Sequence, residues 1–218
     1  MARTFNGTTD YISIANSSVL DGVKFTLSTW FWPATSAIAF PVIAMKEQTS
    51  QGWILHIINT TDIKFKINQD DTHALVTSGL NLKMNMWHHI AAGWDGTTLW
   101  LYLDGKFIKG QSGSSALTIG NTAVLLGTYF GAPANTFFTG RLAEFRFFNF
   151  WVGAEGVYQL SRSTRAWDVF QSNAPYFPLN GDIPSNPEYD YSTNRIPVTL
   201  NGTGIAAHPP MLRPRPLS

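Results

Sequence analysis

The sequence predicts an all-β protein made of two antiparallel sheets, with one short helix. Apolar and polar residues alternate with a period of two over many short runs, which is typical of strands with one buried and one wet face. Turn residues separate the runs, and two of the turns contain Asp-Gly, the strongest short-range signal for a hairpin. The 218 residues, 44% of them hydrophobic, are sufficient for one sandwich domain of ordinary size.

The alternation is clearest over 62–68, where Ile63, Phe65 and Ile67 are expected to face a core and the residues between them to face water. The run 53–58 is apolar at nearly every position, which predicts a strand that is covered on both faces. Further strands are expected over 11–14, 25–32, 39–45, 74–77, 124–128 and 139–148.

The turns and the helix follow from local chemistry. The Asp-Gly pairs at 95–96 and 104–105 divide residues 87–109 into three runs, which predicts an antiparallel meander. Apolar residues at helical spacing predict a single helix over 153–162, with 163–170 adding a further turn.

The composition changes near residue 172, beyond which most of the 12 prolines lie. We therefore expect a sandwich domain over 1–171, an extension over 172–205 that packs on the sandwich or on a neighbouring subunit, and an extended arm over 206–218. Arg213 and Arg215 in that arm are expected to contact an acidic or aromatic partner surface. The alternative for the arm is a disordered tail.

Charge and cysteine content exclude several classes of function. The net charge of +1 produces too little field for phosphate-driven binding of nucleic acid, and it favours association into an oligomer or an assembly. The chain has no cysteine, which excludes disulfides and thiolate-bound metals and fits a reducing cytoplasm. No apolar run has the form of a signal peptide or reaches the ~18 residues of a membrane span, so no membrane partner is expected.

Six segments resemble, in order, the laminin-G-like members of the concanavalin-A-like lectin/glucanase superfamily. Residues 101–106, LYLDGK, are similar to the family's usual LYVDG turn, and 138–146 resembles its closing strand. The other resembling segments are 5–12, 25–31, 86–91 and 94–97. The resemblance covers 5–162 and implies a jelly-roll sandwich of two antiparallel sheets, the architecture that the alternation indicates independently.

The resemblance also raises glycoside hydrolysis, which some members of the superfamily catalyse with paired carboxylates. Those enzymes carry the pair as Glu-x-Asp-x-x-Glu or a near variant, and this chain has no complete copy of that motif. The chain also has no Gly-x-Ser-x-Gly elbow and no phosphate-binding glycine loop. We therefore predict that the protein is not an enzyme.

Laminin-G-like domains commonly bind calcium at one rim, and the resemblance implies where such a site would lie. The family's closing motif has Asp-Glu, whereas this chain has Ala143 before Glu144. Asp10, on the first strand, is the expected partner of Glu144. Calcium takes about 6–8 oxygen ligands, so the loss of one carboxylate predicts a vacant or degenerate site, and no other cofactor is expected.

Aromatic residues that are expected to be exposed, together with a neighbouring amide, are the candidates for binding a glycan or a protein partner. They are Trp53, Tyr129, Phe130, Asn135 and Trp151. An aromatic ring can stack on a sugar, but it packs into a core or a subunit interface equally well. Packing therefore remains the alternative for each of them.

The leading prediction is a non-catalytic structural protein of a virion, a jelly roll that decorates a capsid or associates with a tail. The opening and the tail of the chain are similar to uncharacterised structural proteins of tailed bacteriophages. Its partners would be a capsid or tail protein or further copies of itself, and it would be made in the host cytoplasm. The alternative is a soluble glycan-binding module with a carbohydrate partner, which the loop aromatics favour.

Overall fold

The computed structural model describes residues 1–35, 39–131, 133–162, 173–181 and 188–210. Within them, two antiparallel sheets face each other across one large apolar core. The predicted fold class is confirmed: the protein is all-β, a two-sheet jelly-roll sandwich with one short α-helix among the residues described. The arm residues Arg213 and Arg215 and the turn expected over 163–170 lie outside this part of the chain.

The elements occur in the following order along the chain. They are β1 (Ala2–Asn6), β2 (Tyr11–Ile14), a 3-10 turn (Ser18–Leu20), β3 (Phe25–Pro33), β4 (Val42–Gln48), β5 (Gln51–Ile58), β6 (Asp62–Ile67), β7 (Leu75–Val76), β8 (His88–Trp94), β9 (Thr98–Leu103), β10 (Lys106–Ser112), β11 (Val124–Leu126), β12 (Thr139–Phe148), α1 (Gly153–Leu160), β13 (Tyr176–Phe177), β14 (Val198–Asn201) and β15 (Gly204–Ala206).

The first sheet runs in the order β10-β9-β8-β3-β12-β1-β15, with β13 also paired to β12. Strands β8, β9 and β10 pair in sequence, so the predicted meander is confirmed. At the second of its turns both Asp104 and Gly105 have positive φ, as this turn type requires, whereas at the first turn Gly96 has positive φ and its aspartate does not.

The second sheet runs in the order β14-β2-β11-β4-β5-β6-β7. In β6 the predicted alternation is confirmed, because Ile63, Phe65 and Ile67 belong to the core while Lys64 and Lys66 lie on the outer face. Strand β5 is buried on both faces, as predicted. Its outer face is covered by a small apolar cluster and the side chains around it.

The chain beyond the helix extends both sheets. Strand β13 pairs with β12, β14 with β2, and β15 with β1. Buried carboxylates fix this return: Arg3 Nε donates to Glu188, and the backbone N–H groups of Tyr176 and Ser192 donate to Asp190. The described part of 173–210 therefore packs on the sandwich itself.

Candidate functional site

A groove of about 660 Å³ lies on the outer face of the second sheet, over β2, β11 and β14. Strand alternation produces its floor: Ile12 and Ile14 of β2 are fully buried in the core, so Tyr11 and Ser13 point outward into the groove. The antiparallel pairing of β14 with β2 sets Asn201 opposite Tyr11. The C-terminal strand therefore contributes part of the site.

The lining combines aromatic rings with neutral polar groups. Its main side chains are Tyr11, Tyr129, Phe130, Gln48, Asn121 and Asn201, together with serine and threonine hydroxyls. Among the residues that the structure describes, no Asp, Glu, Lys, Arg or His lines this groove. Such a surface can pack against apolar ring faces and hydrogen-bond to hydroxyl groups without selecting for charge.

The ring of Tyr129 forms one wall of the groove and is fixed from behind. Its hydroxyl donates to Glu47 Oε1 at 3.0 Å, and Gln69 Nε2 donates to the hydroxyl oxygen at 3.3 Å. The ring packs on the outer apolar cluster, which includes Met45 and Ile54. Burial and the charge of Glu47 raise the pKa of Tyr129 to about 12, so the phenol keeps its proton and its donated hydrogen bond at neutral pH.

The loop that carries Tyr129 ends in an exposed tip. Phe130 lies there with half of its surface exposed, and it lines the groove. Thr136 closes the loop, because its Oγ1 donates to the carbonyl of Pro133 at 2.8 Å and accepts from the N–H of Tyr129 at 3.3 Å. Asn135 is exposed on the same loop but does not line the groove.

The prediction that Trp53 is an exposed binding residue is wrong. Its side chain is 0% exposed, because its position in β5 points into the core, where it stacks with Phe25 at 5.7 Å and Phe147 at 6.1 Å between ring centroids. Trp151 lies on the first sheet, stacked on Trp100 at 6.1 Å. The five predicted aromatic and amide residues therefore do not form one site, and Tyr129 and Phe130 are the two that the fold places in the groove.

The expected pairing of Asp10 with Glu144 at a calcium site is also wrong. Asp10 accepts a hydrogen bond from the N–H of Asn6 at 3.0 Å, and Asn6 is paired with Thr139 across β1 and β12. Glu144 lies five residues further along β12, which is roughly 16 Å along an extended strand. The register of the closing strand thus separates the two carboxylates.

Glu144 is already surrounded by donors. It is buried and accepts hydrogen bonds from Arg146 at 3.0 Å, Tyr176 at 2.5 Å and His208 at 2.8 Å. Burial alone would raise the pKa of Glu144, but the His208 hydrogen bond and the Arg146 charge hold it below its ordinary value. This carboxylate therefore fastens the C-terminal segment to the first sheet.

The other acidic residues that the structure describes give no alternative centre. Glu188 and Asp190 are two residues apart, as in the glycosidase motif, but both are buried and bound to Arg3 and to backbone N–H groups. Across the described ranges, no three His, Asp or Glu side chains are arranged to hold a metal ion. No helix in the same ranges is long and apolar enough to cross a membrane.

Sequence reasoning missed the floor of the groove. Tyr11 and Ser13 alternate with two buried isoleucines in β2. The apolar–polar alternation of the sequence therefore indicates that both side chains point away from the core. The contribution of Asn201 could not, because it depends on the pairing of β14 with a strand nearly 190 positions earlier in the chain. Asn121 is held in the lining by a long-range bond from Asn16 Nδ2 to its Oδ1 at 2.6 Å.

Several solved structures share this fold. A candidate carbohydrate binding protein from Bacteroides ovatus ATCC 8483 superimposes with a TM-score of 0.73 at 18% identity, over 93% of this chain and 58% of that one, so the chain spans little more than half of that protein. Domain 4 of the arabinanase AbnA from Geobacillus stearothermophilus, in complex with arabinotriose, gives 0.58 at 15% identity over 74% and 76%. The CBM40 of a Ruminococcus gnavus sialidase, bound to α2,3-sialyllactose, gives 0.54 at 14% identity over 66% and 85%.

At these identities the likeness shows the fold alone. A search of the curated proteins found no match. The family model described as the concanavalin A-like lectin/glucanases superfamily matches residues 6–157, which is more than half of the chain. The chain therefore belongs to the concanavalin A-like lectin/glucanases superfamily.

Proposed function

We propose that the protein is a non-catalytic carbohydrate-binding module, and that its glycan lies in the groove on the outer face of the second sheet. The observation that carries this proposal is the lining of the groove, in which aromatic rings stand next to amides and hydroxyls. A sugar presents apolar C–H faces and neutral hydroxyls, and these match such a surface group by group. A volume of about 660 Å³ lies inside the ~300–1,000 Å³ that is usual for ligand sites.

Two further observations support a binding role. The structural neighbours include the arabinanase domain in complex with arabinotriose and the CBM40 bound to sialyllactose. In addition, the described lining of the groove supplies no carboxylate, whereas glycoside hydrolysis ordinarily uses two that flank the scissile bond. Glu144 and Glu188 lie elsewhere and are tied to cationic side chains.

Phe130 offers the sharpest test, because it lines the groove and half of its surface is exposed. Phe130→Ala removes a stacking surface while disturbing little packing, so we expect the affinity for a bound oligosaccharide to fall about tenfold, or about 1.4 kcal/mol. The measurement is calorimetric titration against maltotriose, laminaritriose, arabinotriose and 3′-sialyllactose. Phe107→Ala is the matched control, since Phe107 is 52% exposed but lies on β10 of the other sheet. Equal affinities for the two variants would contradict the groove as the site.

A second candidate is an assembly role, as a decoration on a capsid or a tail in a virion. One observation favours it: Tyr189 and Tyr191 are exposed on the C-terminal segment, where they alternate with the buried Glu188 and Asp190. Exposed aromatic side chains are enriched at protein interfaces. This role predicts concentration-dependent self-association in sedimentation velocity, weakened by Tyr189→Ser with Tyr191→Ser. A monomer at every concentration, with no binding to purified capsid or tail protein, would remove this candidate.

A further inference from the structure

A second pocket lies on the other side of Tyr129. It has a volume of about 270 Å³ and is formed on the outer face of β4, β5 and β6. The polar side chains that line it are Glu47, His56, Lys64, Lys66, Asp71, Tyr129 and Thr136. Because Tyr129 lines this pocket and the groove, the two cavities are neighbours that share one side chain.

The pocket contains buried polar atoms that have no partner. Glu47 is 1% exposed and His56 is 8% exposed. Within the described part of the chain, Glu47 Oε2 and both ring nitrogens of His56 make no hydrogen bond. Buried polar groups are almost always hydrogen-bonded, because desolvation without a partner costs free energy. All three atoms have almost no surface exposed to solvent, so a ligand in the pocket reaches them only when the side chains that cover them shift. Three such atoms beside one pocket point to a ligand that supplies the partners.

The protonation states define which ligand groups fit. Burial and the charge of Lys64 lower the pKa of His56 to about 4, so at neutral pH the ring has one nitrogen that donates and one that accepts. Burial raises the pKa of Glu47 above its ordinary value, and its free oxygen can bond to a hydroxyl in either protonation state. A hydroxyl group both donates and accepts hydrogen bonds. Neighbouring hydroxyls of a sugar therefore supply a suitable partner for each of the three atoms.

The lysines do not make the pocket an anion site. Lys64 Nζ lies 2.6 Å from Asp71 Oδ1, and Lys66 Nζ lies 3.1 Å from the same oxygen. Both ammonium groups are therefore already paired with one carboxylate, and the carboxyl group of Glu47 lines the same pocket. The pocket therefore favours a neutral ligand over a uronate or a sialic acid.

We propose that this pocket is a second subsite, which binds neighbouring hydroxyls of one neutral sugar residue through Glu47 and His56. The volume, just below the ~300–1,000 Å³ range of ligand pockets, suits a single ring and not an oligomer. The inference rests on the proposed carbohydrate-binding function and adds to it a site, two recognition residues and a preference for neutral sugars.

The test compares the full-length wild type with three full-length variants by calorimetric titration against maltotriose, laminaritriose, arabinotriose and 3′-sialyllactose. Glu47→Gln keeps an oxygen that can accept from Tyr129 but alters the free atom, and His56→Phe removes both ring nitrogens while keeping a flat ring beside Phe40. We expect each to weaken binding of the neutral trisaccharide at least tenfold. Glu155→Gln, an exposed site on α1, is the matched control and should bind as the wild type does.

Stability separates a binding role from a structural one. His56→Phe removes two unsatisfied buried nitrogens, so its melting temperature should equal or exceed that of the wild type while its affinity falls. If Glu47→Gln does not fold, His56→Phe still decides the question. A wild type that binds neutral trisaccharides, with both pocket variants binding equally well, overturns the subsite and leaves the groove intact. Binding of 3′-sialyllactose alone overturns the neutral preference, and no binding of any probe by the wild type overturns the proposed function itself.

Discussion

At the scale of single residues, two histidines are held neutral by burial. His89 is fully buried, with its Nε2 3.0 Å from Ser28 Oγ. Burial, followed by the charge of Arg146, lowers the pKa of His89 to about 3, and the same cause acts on His56, whose pKa is about 4. Both values lie far below the 6.5 of an exposed imidazole, so the folded protein does not bind the protons that the unfolded chain takes up.

This difference predicts how stability depends on pH. Below pH 6.5 the unfolded chain binds more protons than the folded one, so the free energy of unfolding falls as pH falls, until the folded pKa values are reached. Between pH 7 and 5.5, His56 alone should account for about 1 kcal/mol. Burial lowers the pKa of His88, but its hydrogen bond to Asp104 outweighs burial and raises the pKa above the ordinary value. His88 therefore stabilises the folded protein as the pH falls, and it does so in the wild type and in the His56→Phe variant alike.

Urea unfolding at the two pH values measures the effect, and His56→Phe isolates it. The wild type should lose about 1 kcal/mol more than the variant between pH 7 and 5.5. The carboxylates, including Glu47 with its raised pKa, are present in both proteins, so their contribution to the pH dependence largely cancels in the comparison. Equal losses in the two proteins would show that His56 titrates normally in the folded state.

At the scale of elements, periodicity predicted where the strands lie along the chain, but it did not predict which strands pair in a sheet. The alternation in β6 and the Asp-Gly turns of the β8–β10 meander depend on neighbouring residues, so the sequence carries them locally. The burial of Trp53 depends on which face of β5 meets the core, and in a run that is apolar on both faces the pattern is equal for either choice.

The candidate site was only partly predicted for the same reason, because strand pairing cannot be read from local sequence. The loop aromatics Tyr129 and Phe130 were visible in the sequence, whereas the floor of the groove needs β14 to pair with β2. The false pairing of Asp10 with Glu144 came from assigning both to one rim without a register. In the fold, the register of β12 is irregular between Ala143 and Arg146, and Glu144 has a positive φ there. Its side chain faces the C-terminal segment, where it contacts Tyr176 and His208.

At the scale of the whole molecule, the two ends of the described chain close the first sheet together. Strand β1 lies between β12 and β15, and beyond β15 the side chain of His208 covers Glu144, with a distance of 2.8 Å between Nε2 and Oε1. The side chain of His208 is 11% exposed, so this contact is shielded from solvent. Residues 206–210, the start of the predicted arm over 206–218, are therefore packed on the sandwich.

A truncation tests this closure. A chain that ends at residue 205 loses His208 and leaves an acceptor of the buried Glu144 without its partner, which should lower the free energy of unfolding by about 1–3 kcal/mol. Denaturant unfolding should show the loss, and His208→Ala in the full chain should reproduce most of it. A chain that ends at Pro210 is the matched control, because it keeps every contact named here and should unfold as the full chain does. If the 205-residue chain were equally stable, the His208 contact would contribute nothing, and Arg146 and Tyr176 alone would be sufficient to satisfy the buried carboxylate.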